Sequence, residues 1–366
     1  MPRRRITQAD VAAMAGVSQA TVSFVLNDRL PAGVHISAET RQRVLDAIRI
    51  TGYSANPVAQ RLAGGRNQII GVFTYEATFP GGGRDFYGPF LVGIEHAAEQ
   101  LGIDILLFTS ARVVDGRRRL TRDGWQRLGI ADGCLLLGQH EDRSELQHLL
   151  DTNYPFAFIG KRTSEGGRLP YVGADYVAAT RHAVERLIAL GHQRIGYVGE
   201  LGTDQPTLDR LDGYRSTMHD AGLSSRLVTE EDPAATAAAA VDQGLTALVV
   251  APERDAEELY DALLLRGLTV PGDVSLLLLG QPQRRLRRPQ EWSGFAIPRE
   301  EMGARALQLL SRLIANQDLP EQDQHQLLDC AVVEGRTVAP PRDRTAPGDD
   351  AALAPGAPQS RAQTTP

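Results

Sequence analysis

The chain has 366 residues, 42% hydrophobic and 23% charged, the composition of a globular protein too long for one core. No run approaches the ~18 apolar residues of a membrane span, and two cysteines, Cys134 and Cys330, exclude a disulfide scaffold and fit a reducing compartment. The net charge of -6 averages two unlike parts: residues 1–66 carry nine Arg against Asp10, Asp28, Glu39 and Asp46, a local +5, and the other 300 residues carry 30 basic and 41 acidic side chains, or -11.

That asymmetry predicts a small basic module on an acidic body. The opening MPRRRITQADVAAMA has no apolar stretch of export-signal length and no small-residue cleavage site, so a cytoplasmic protein without membrane contact is expected. Arg3 to Arg5 form a basic arm, either solvated or ordered on a polyanion.

The elements of the basic module follow in order. Thr7, with Asp10 three residues on, predicts a capped helix over 7–15 whose apolar face holds Val11, Ala12 and Ala15. Gly16 stops it in a left-handed turn. Ser18 caps a second helix over 18–26 with Val22, Val25 and Leu26 on its apolar stripe, leaving Gln19, Ala20, Ser23 and Phe24 outside. Ser37 caps a third, with Val44, Leu45 and Ile48 inward and Thr51-Gly52 at its end. A generic three-helix bundle is the plainer alternative. Caps, glycine turn and charge agree better on a helix-turn-helix, whose second helix enters a major groove. Asn56-Pro57 then starts, and Gly64-Gly65 stops, one short helix that is too short to stand alone in water.

The strings ITQADVAAMAGVSQATVSFVLND, ISAETRQRVLDAIRITGY and NPVAQRLAGGRNQIIGV, in this order, resemble the lactose-repressor (LacI/GalR) family of transcription regulators. The loop DRLPAGVH is a few residues longer than most family members have. The resemblance implies base reading by Gln19, Ala20 and Phe24, and backbone contacts from Thr7, Ser18, Thr21, Ser23, Asn27, His35 and Asn56. Glutamine suits adenine, and Ala or Phe suits a thymine methyl. Phe24 stands where many relatives have Arg, so a strong guanine contact is not expected. The resemblance further implies a hinge helix in which Leu62 wedges into the minor groove and Ala59 packs against its symmetry mate. An ordinary linker helix is the alternative.

From Ile69 onward, short apolar runs alternate with helical stretches. IIGVF (69–73), IDILLF (103–108), GCLLLG (133–138), FAFIG (156–160), RIGYVG (194–199), ALVV (247–250) and VSLLLL (274–279) predict buried parallel strands. Helices are expected over 88–101, 176–191, 209–221, 254–267 and 300–316. This is a doubly wound α/β pattern, long enough for two sheets, with ligands at the carboxyl ends of strands. The resemblance implies a two-lobed periplasmic-binding-protein-like effector domain joined by three crossovers. The expected layout is an all-α helix-turn-helix DNA-binding head over 1–54, a hinge over 55–67 and the two-lobed domain over 68–338. Lobe one takes about 68–168 plus 296–328, and lobe two about 169–295 plus 329–338. Residues 339–366, rich in Pro, Ala and Asp, are expected to be disordered.

For the cleft between the lobes the resemblance points to Arg210, in RLDGY, as the effector-gripping residue; a helix-start surface arginine is the alternative. Asp175 either lies near the cleft or caps the following helix. Tyr75, Phe86 and Tyr87 either wall the cleft or pack in loops and core. Gly280, Gln281 and Pro282 follow the VSLLLL strand, where most relatives carry aspartates, and the resemblance makes Gln281 the effector contact there. Pro252-Glu253 replaces a common Asn-Asp, which weakens the case for a simple neutral sugar. Arg284, Arg285, Arg287 and Arg288 either favour an anionic ligand or form a solvated loop, and Trp292 beyond them is a candidate ring-stacking residue.

No GxGxxG or P-loop follows a strand, and the eight His show no paired metal spacing, so no catalytic residue, cofactor or metal is expected. The sequence therefore predicts a homodimeric regulator, most simply a repressor of sugar or carbon-metabolism genes. Its partners are double-stranded DNA, as a near-palindromic operator, and a small-molecule effector, a sugar or sugar derivative. The alternatives are a solute-binding protein or a sugar-metabolising α/β enzyme with a vestigial DNA head.

Overall fold

The computed structural model describes residues 6–27, 35–53, 66–76, 86–109, 112–114, 117–120, 125–138, 143–162, 169–252, 254–280, 287, 292–315 and 319–342. In the head, α1 (Gln8–Ala15), α2 (Gln19–Asn27) and α3 (Ala38–Thr51) enclose Val11, Ala12, Ala15, Val22, Val25, Val44 and Ala47. Thr7 caps α1 in a reciprocal box, its own N–H donating to Asp10 Oδ2 at 2.8 Å. Gly16 ends α1 at φ 67°, a conformation that costs glycine little, and α1 and α2 meet at 103°. Ser18 Oγ accepts from Thr21 N–H at 3.1 Å and Ser37 Oγ from Thr40 N–H at 3.2 Å, so both expected caps are present. One expected core position fails. Leu45 is 44% exposed, because the buried face of α3 runs through Val44, Ala47 and Ile48 and position 45 is turned away from it.

The body contains two six-stranded sheets. The first has the order β13-β7-β6-β5-β1-β2, from β1 (Ile69–Thr74), β2 (Asp104–Leu107), β5 (Gly133–Leu137), β6 (Phe156–Ile159), β7 (Tyr171–Ala174) and β13 (His325–Leu328), all parallel. The second has the order β14-β12-β11-β10-β8-β9. It is built from β8 (Ile195–Val198), β9 (Arg226–Val228), β10 (Ala247–Val250), β11 (Ser275–Leu278), β12 (Ser293–Ala296) and an antiparallel β14 (Ala331–Val333). β3 (Arg112–Val114) and β4 (Arg117–Arg119) form a separate two-stranded ribbon.

Helices α4 (Gly88–Leu101) and α10 (Arg299–Ile314) pack together beside the first sheet; α6 (Tyr176–Ala189) and α7 (Gln205–Asp220) do so beside the second. α5 (Arg143–Asp151) adds Leu146 and Leu149 to a cluster on the first sheet, and α8 (Pro233–Asp242) and α9 (Ala256–Leu265) complete one on the second. The chain passes between the lobes after β7, after β12 and between β13 and β14.

Two boundaries differ from the sequence expectation. β7 belongs to lobe one, not lobe two, because its backbone ladders to β6 and β13 (Ile159 opposite Val172, Leu328 opposite Ala174); the crossover falls after Ala174 rather than near 169. Residues 339–342, expected in the tail, are fastened to lobe two. Ser275 Oγ donates to the Ala339 carbonyl at 3.0 Å, and Arg342 pairs with Asp273 at 3.4 Å. The expectation for 343–366 lies outside the described residues. Among the described residues no single helix is long and apolar enough to cross a membrane.

Candidate functional site

On the head, α2 turns Val22 and Val25 inward, so its first turn and opposite face are left outward. Gln19 and Ala20 are exposed, and Gln19 Nε2 donates to Gln8 Oε1 at 3.4 Å across the turn. Phe24 is half-buried and is not among the side chains packed on the head's core, in line with its off-stripe phase. Thr7 and Ser18 are exposed caps, Thr21 and Ser23 are half-buried, and His35 is exposed ahead of α3. Asn27 closes α2. Asn56, Ala59 and Leu62 lie outside the described residues.

A cavity of about 340 Å³ lies between the lobes, at the carboxyl ends of strands from both sheets. Lobe one contributes Gly138 after β5, Ile159 and Gly160 ending β6, and Arg162 just beyond; lobe two contributes Pro252 after β10 and the first turn of α7. Asp204 caps that helix by accepting from Thr207 N–H at 3.1 Å, with Pro206 in the opening turn.

Arg210 is firmly held in the cavity wall. It is 5% exposed; Nε donates to the Leu279 carbonyl at 2.9 Å, Nη1 to the Pro206 carbonyl at 3.1 Å, and the guanidinium lies over the Tyr176 ring. Its Nη2 is directed toward Gly280, which turns away from β11 at φ 120°; a Cβ there would sit 3.5 Å from that nitrogen. The arginine expected at a helix start is therefore buried in the cavity wall and oriented by two carbonyls, not a surface residue.

Phe86 and Tyr87 also line the cavity. Phe86 is half-buried under the Arg299 guanidinium, 5.0 Å from its ring centroid. The Tyr87 hydroxyl donates to Glu76 Oε2, and burial together with that carboxylate pushes its ionisation far up. Tyr75 is not a cavity residue. It packs edge-on to Phe73 at 5.1 Å and stacks on Phe158 at 6.3 Å in the lobe-one core, because residues two apart on a strand share a face. Asp175 is the N-cap of α6, accepting from Ala178 N–H at 2.9 Å, and is not among the lining residues either. Gln281 lies outside the described residues. Trp292, a sequence candidate for ring stacking, is instead 4% exposed in the lobe-two core, edge-on to Tyr260. Arg287 is occupied by Glu257 and Asp261 at 3.0 and 2.9 Å, so it is part of the surface fabric rather than an anion site.

Sequence reasoning missed Arg162. It is 6% exposed, donates to the Lys161 and Gly138 carbonyls, and covers the Phe158 ring at 4.0 Å. Its signal was position: it lies two residues past the FAFIG strand, at the end where α/β folds bind ligands. Tyr176 and Asp204 were missed for the opposite reason, since each reads locally as an ordinary helix start.

Comparison with known proteins follows the same division. Residues 7–56 match the model of bacterial regulatory proteins of the lacI family, and residues 184–338 match a periplasmic binding protein-like domain. The HTH-type transcriptional regulator MalR of Streptomyces coelicolor is 30% identical over 356 residues, covering 93% of this chain and 98% of that protein. The crystal structure of the Lac repressor dimer bound to operator and the anti-inducer ONPF is similar at a TM-score of 0.67 and 23% identity, covering 92% of this chain and all of that one. The complex of the transcriptional regulator CelR with cellobiose gives a TM-score of 0.58 at 24% identity, with 91% and 100% coverage.

Proposed function

Because the chain belongs to the LacI family of bacterial regulatory proteins, we propose that this DNA-binding transcriptional regulator represses carbohydrate genes and that a sugar or sugar derivative in the inter-lobe cavity controls its operator affinity. The head supplies sequence reading through Gln19, Ala20 and Phe24. Phosphate contacts come from the cap residues Thr7, Ser18 and Thr21 together with Ser23, Asn27, His35 and Asn56. A homodimer sets two such heads on a near-palindromic operator. Leu62, with Ala59 beside it, wedges the minor groove between the half-sites.

The observation that carries the effector reading is Arg210. A buried guanidinium in the cavity wall, with Nε and Nη1 fixed on carbonyls, is organised to bind a hydroxyl or an anionic group. Phe86 offers an aromatic wall and Asp204 a carboxylate in the same cavity. Residues from both lobes line it, so a ligand that fits the closed form favours closure and shifts the orientation of the heads.

A thermal-shift screen of the full chain against sugars, sugar acids, sugar phosphates and purines tests the ligand class. A sugar or sugar derivative should raise the melting temperature and change the affinity for an operator selected from random duplexes. Stabilisation by purines alone would reject the carbohydrate reading. Leu62→Ala should weaken operator binding and leave the thermal shift intact; unchanged operator affinity would remove the wedge assignment.

A further inference from the structure

The chain carries 39 basic residues, and only one of them, Lys161, is lysine. That residue stands two positions after β6, beside Arg162, and reaches across to the other lobe. Its Nζ lies 3.0 Å from Oδ1 of Asp209, on α7 beside Arg210. The Asp209 side chain is 7% exposed and that of Lys161 23%, so the pair is largely withdrawn from solvent. Gln205 Nε2 donates to the same Asp209 oxygen at 2.7 Å. Tyr171, on β7 of lobe one, is close enough for both charges to act on its hydroxyl, with opposite signs.

We propose that the Lys161–Asp209 pair is an inter-lobe latch, a positioning device that sets the spacing of Arg162 and Arg210 across the cavity and biases the lobes toward closure. The inference rests on the cavity being the effector site. Each partner is the chain neighbour of a cavity guanidinium, and Arg162 Nη1 also donates to the Lys161 carbonyl at 2.7 Å, so displacing Lys161 displaces Arg162. β7 approaches the Lys161 backbone so closely that a Cβ at Gly173 would lie 2.7 Å from the Lys161 nitrogen, which fixes the base of the lysine. A compact ammonium on a flexible stem suits this narrow crossing. A planar guanidinium would demand a wider, bidentate partner, and Asp209 already gives one oxygen to Gln205 as well. The chain's use of arginine at every other basic position makes the single exception informative.

Uniqueness also supplies the probe, because acylation with an amine-selective acetylating ester can mark only Lys161 and the chain's first amino group. On the native full chain at pH 8, Lys161 should acetylate roughly tenfold more slowly than in urea, and Asp209→Asn should remove most of that protection. Hydrogen exchange then reads the lobes. In Lys161→Met and in Asp209→Asn, amides after β6 and in the first turn of α7 should exchange several-fold faster together. The charge swap Lys161→Asp with Asp209→Lys should restore protection, and Lys161→Met with Asp209→Asn should be no worse than either alone.

Equal exchange in the single variants and the wild type, or strictly additive losses in the double variant, would overturn the latch. No effector is used in these measurements. A latch that holds while no carbohydrate stabilises the chain would count against the proposed function and not against the latch.

Discussion

The guanidinium of Arg210 lies 4.0 Å from the centroid of the Tyr176 ring, and both side chains face the inter-lobe cavity. Burial raises the Tyr176 ionisation above its ordinary value, so the ring stays a neutral partner for the cation through the physiological range. Arg210→Met keeps much of the volume and leaves the Leu279 and Pro206 carbonyls without their charged donor. The expected stability loss is about 1–3 kcal/mol by denaturant unfolding. The larger effect is on binding: the melting shift produced by a stabilising ligand should disappear. An undiminished shift in the variant would dismiss Arg210 as the ligand anchor.

On the head, base reading and folding are separable. Gln19 is exposed, and its side chain donates to Gln8 across the turn, so Gln19→Ala should leave the head folded. It should lower affinity for the selected operator by about 1–3 kcal/mol while affinity for random duplex stays constant. Ser18→Ala acts differently. It deprives Thr21 N–H of its cap and should destabilise the head by roughly 1 kcal/mol, weakening specific and non-specific binding together. Gel-shift titrations at matched salt distinguish the two patterns.

The parts of this protein that were legible in the sequence are the ones made by neighbours along the chain. Thr7 with Asp10, Ser18 with Thr21 and Ser37 with Thr40 are contacts three residues apart, and Gly16 needs only its own backbone angle. Strands β1, β2, β5, β6, β8, β10 and β11 were legible as apolar runs, whereas β7, β9, β12, β13 and β14, three or four residues each, carry no such run. β7 was assigned to the wrong lobe because its lobe is decided by its ladders to β6 and to β13, far along the chain. Tyr75 was open between cleft wall and core because it follows a strand, and its alternation with Phe73 turns it into the core. Lys161 and Asp209 meet from different lobes, and nothing within either local segment marks the meeting.

Cys330 lies at the third crossover, half-buried near Arg210 and Asp175, and burial pushes its thiol up to about 12. Cys134 is fully buried in β5 and is raised further by the same cause. At pH 8 the Cys330 thiolate fraction is then about one in ten thousand. Native protein should therefore take up no iodoacetamide within an hour, and urea should expose both thiols. Rapid alkylation of one equivalent in the native state would contradict this environment.

His192 links the C-terminal segment to lobe two and makes that link pH-sensitive. It is 1% exposed, with Nδ1 2.9 Å from Thr246 Oγ1 and Nε2 2.9 Å from the Ala339 carbonyl. The neutral tautomer that satisfies both contacts donates from Nε2 to the carbonyl and accepts the Thr246 hydroxyl at Nδ1. Desolvation lowers the folded pKa below the ordinary value near 6.5, although the carbonyl contact opposes it. The unfolded chain then binds a proton at a pH where the folded chain does not. The stabilisation is complete above about pH 6.5 and is lost as pH falls through that value toward the lower folded one. The melting temperature should decline between pH 7.5 and 5.5. In His192→Gln the part of the decline due to this group should vanish, with a lower but flatter profile. An unchanged slope in the variant would assign the acid sensitivity to other groups and detach residues 339–342 from any titration of this histidine.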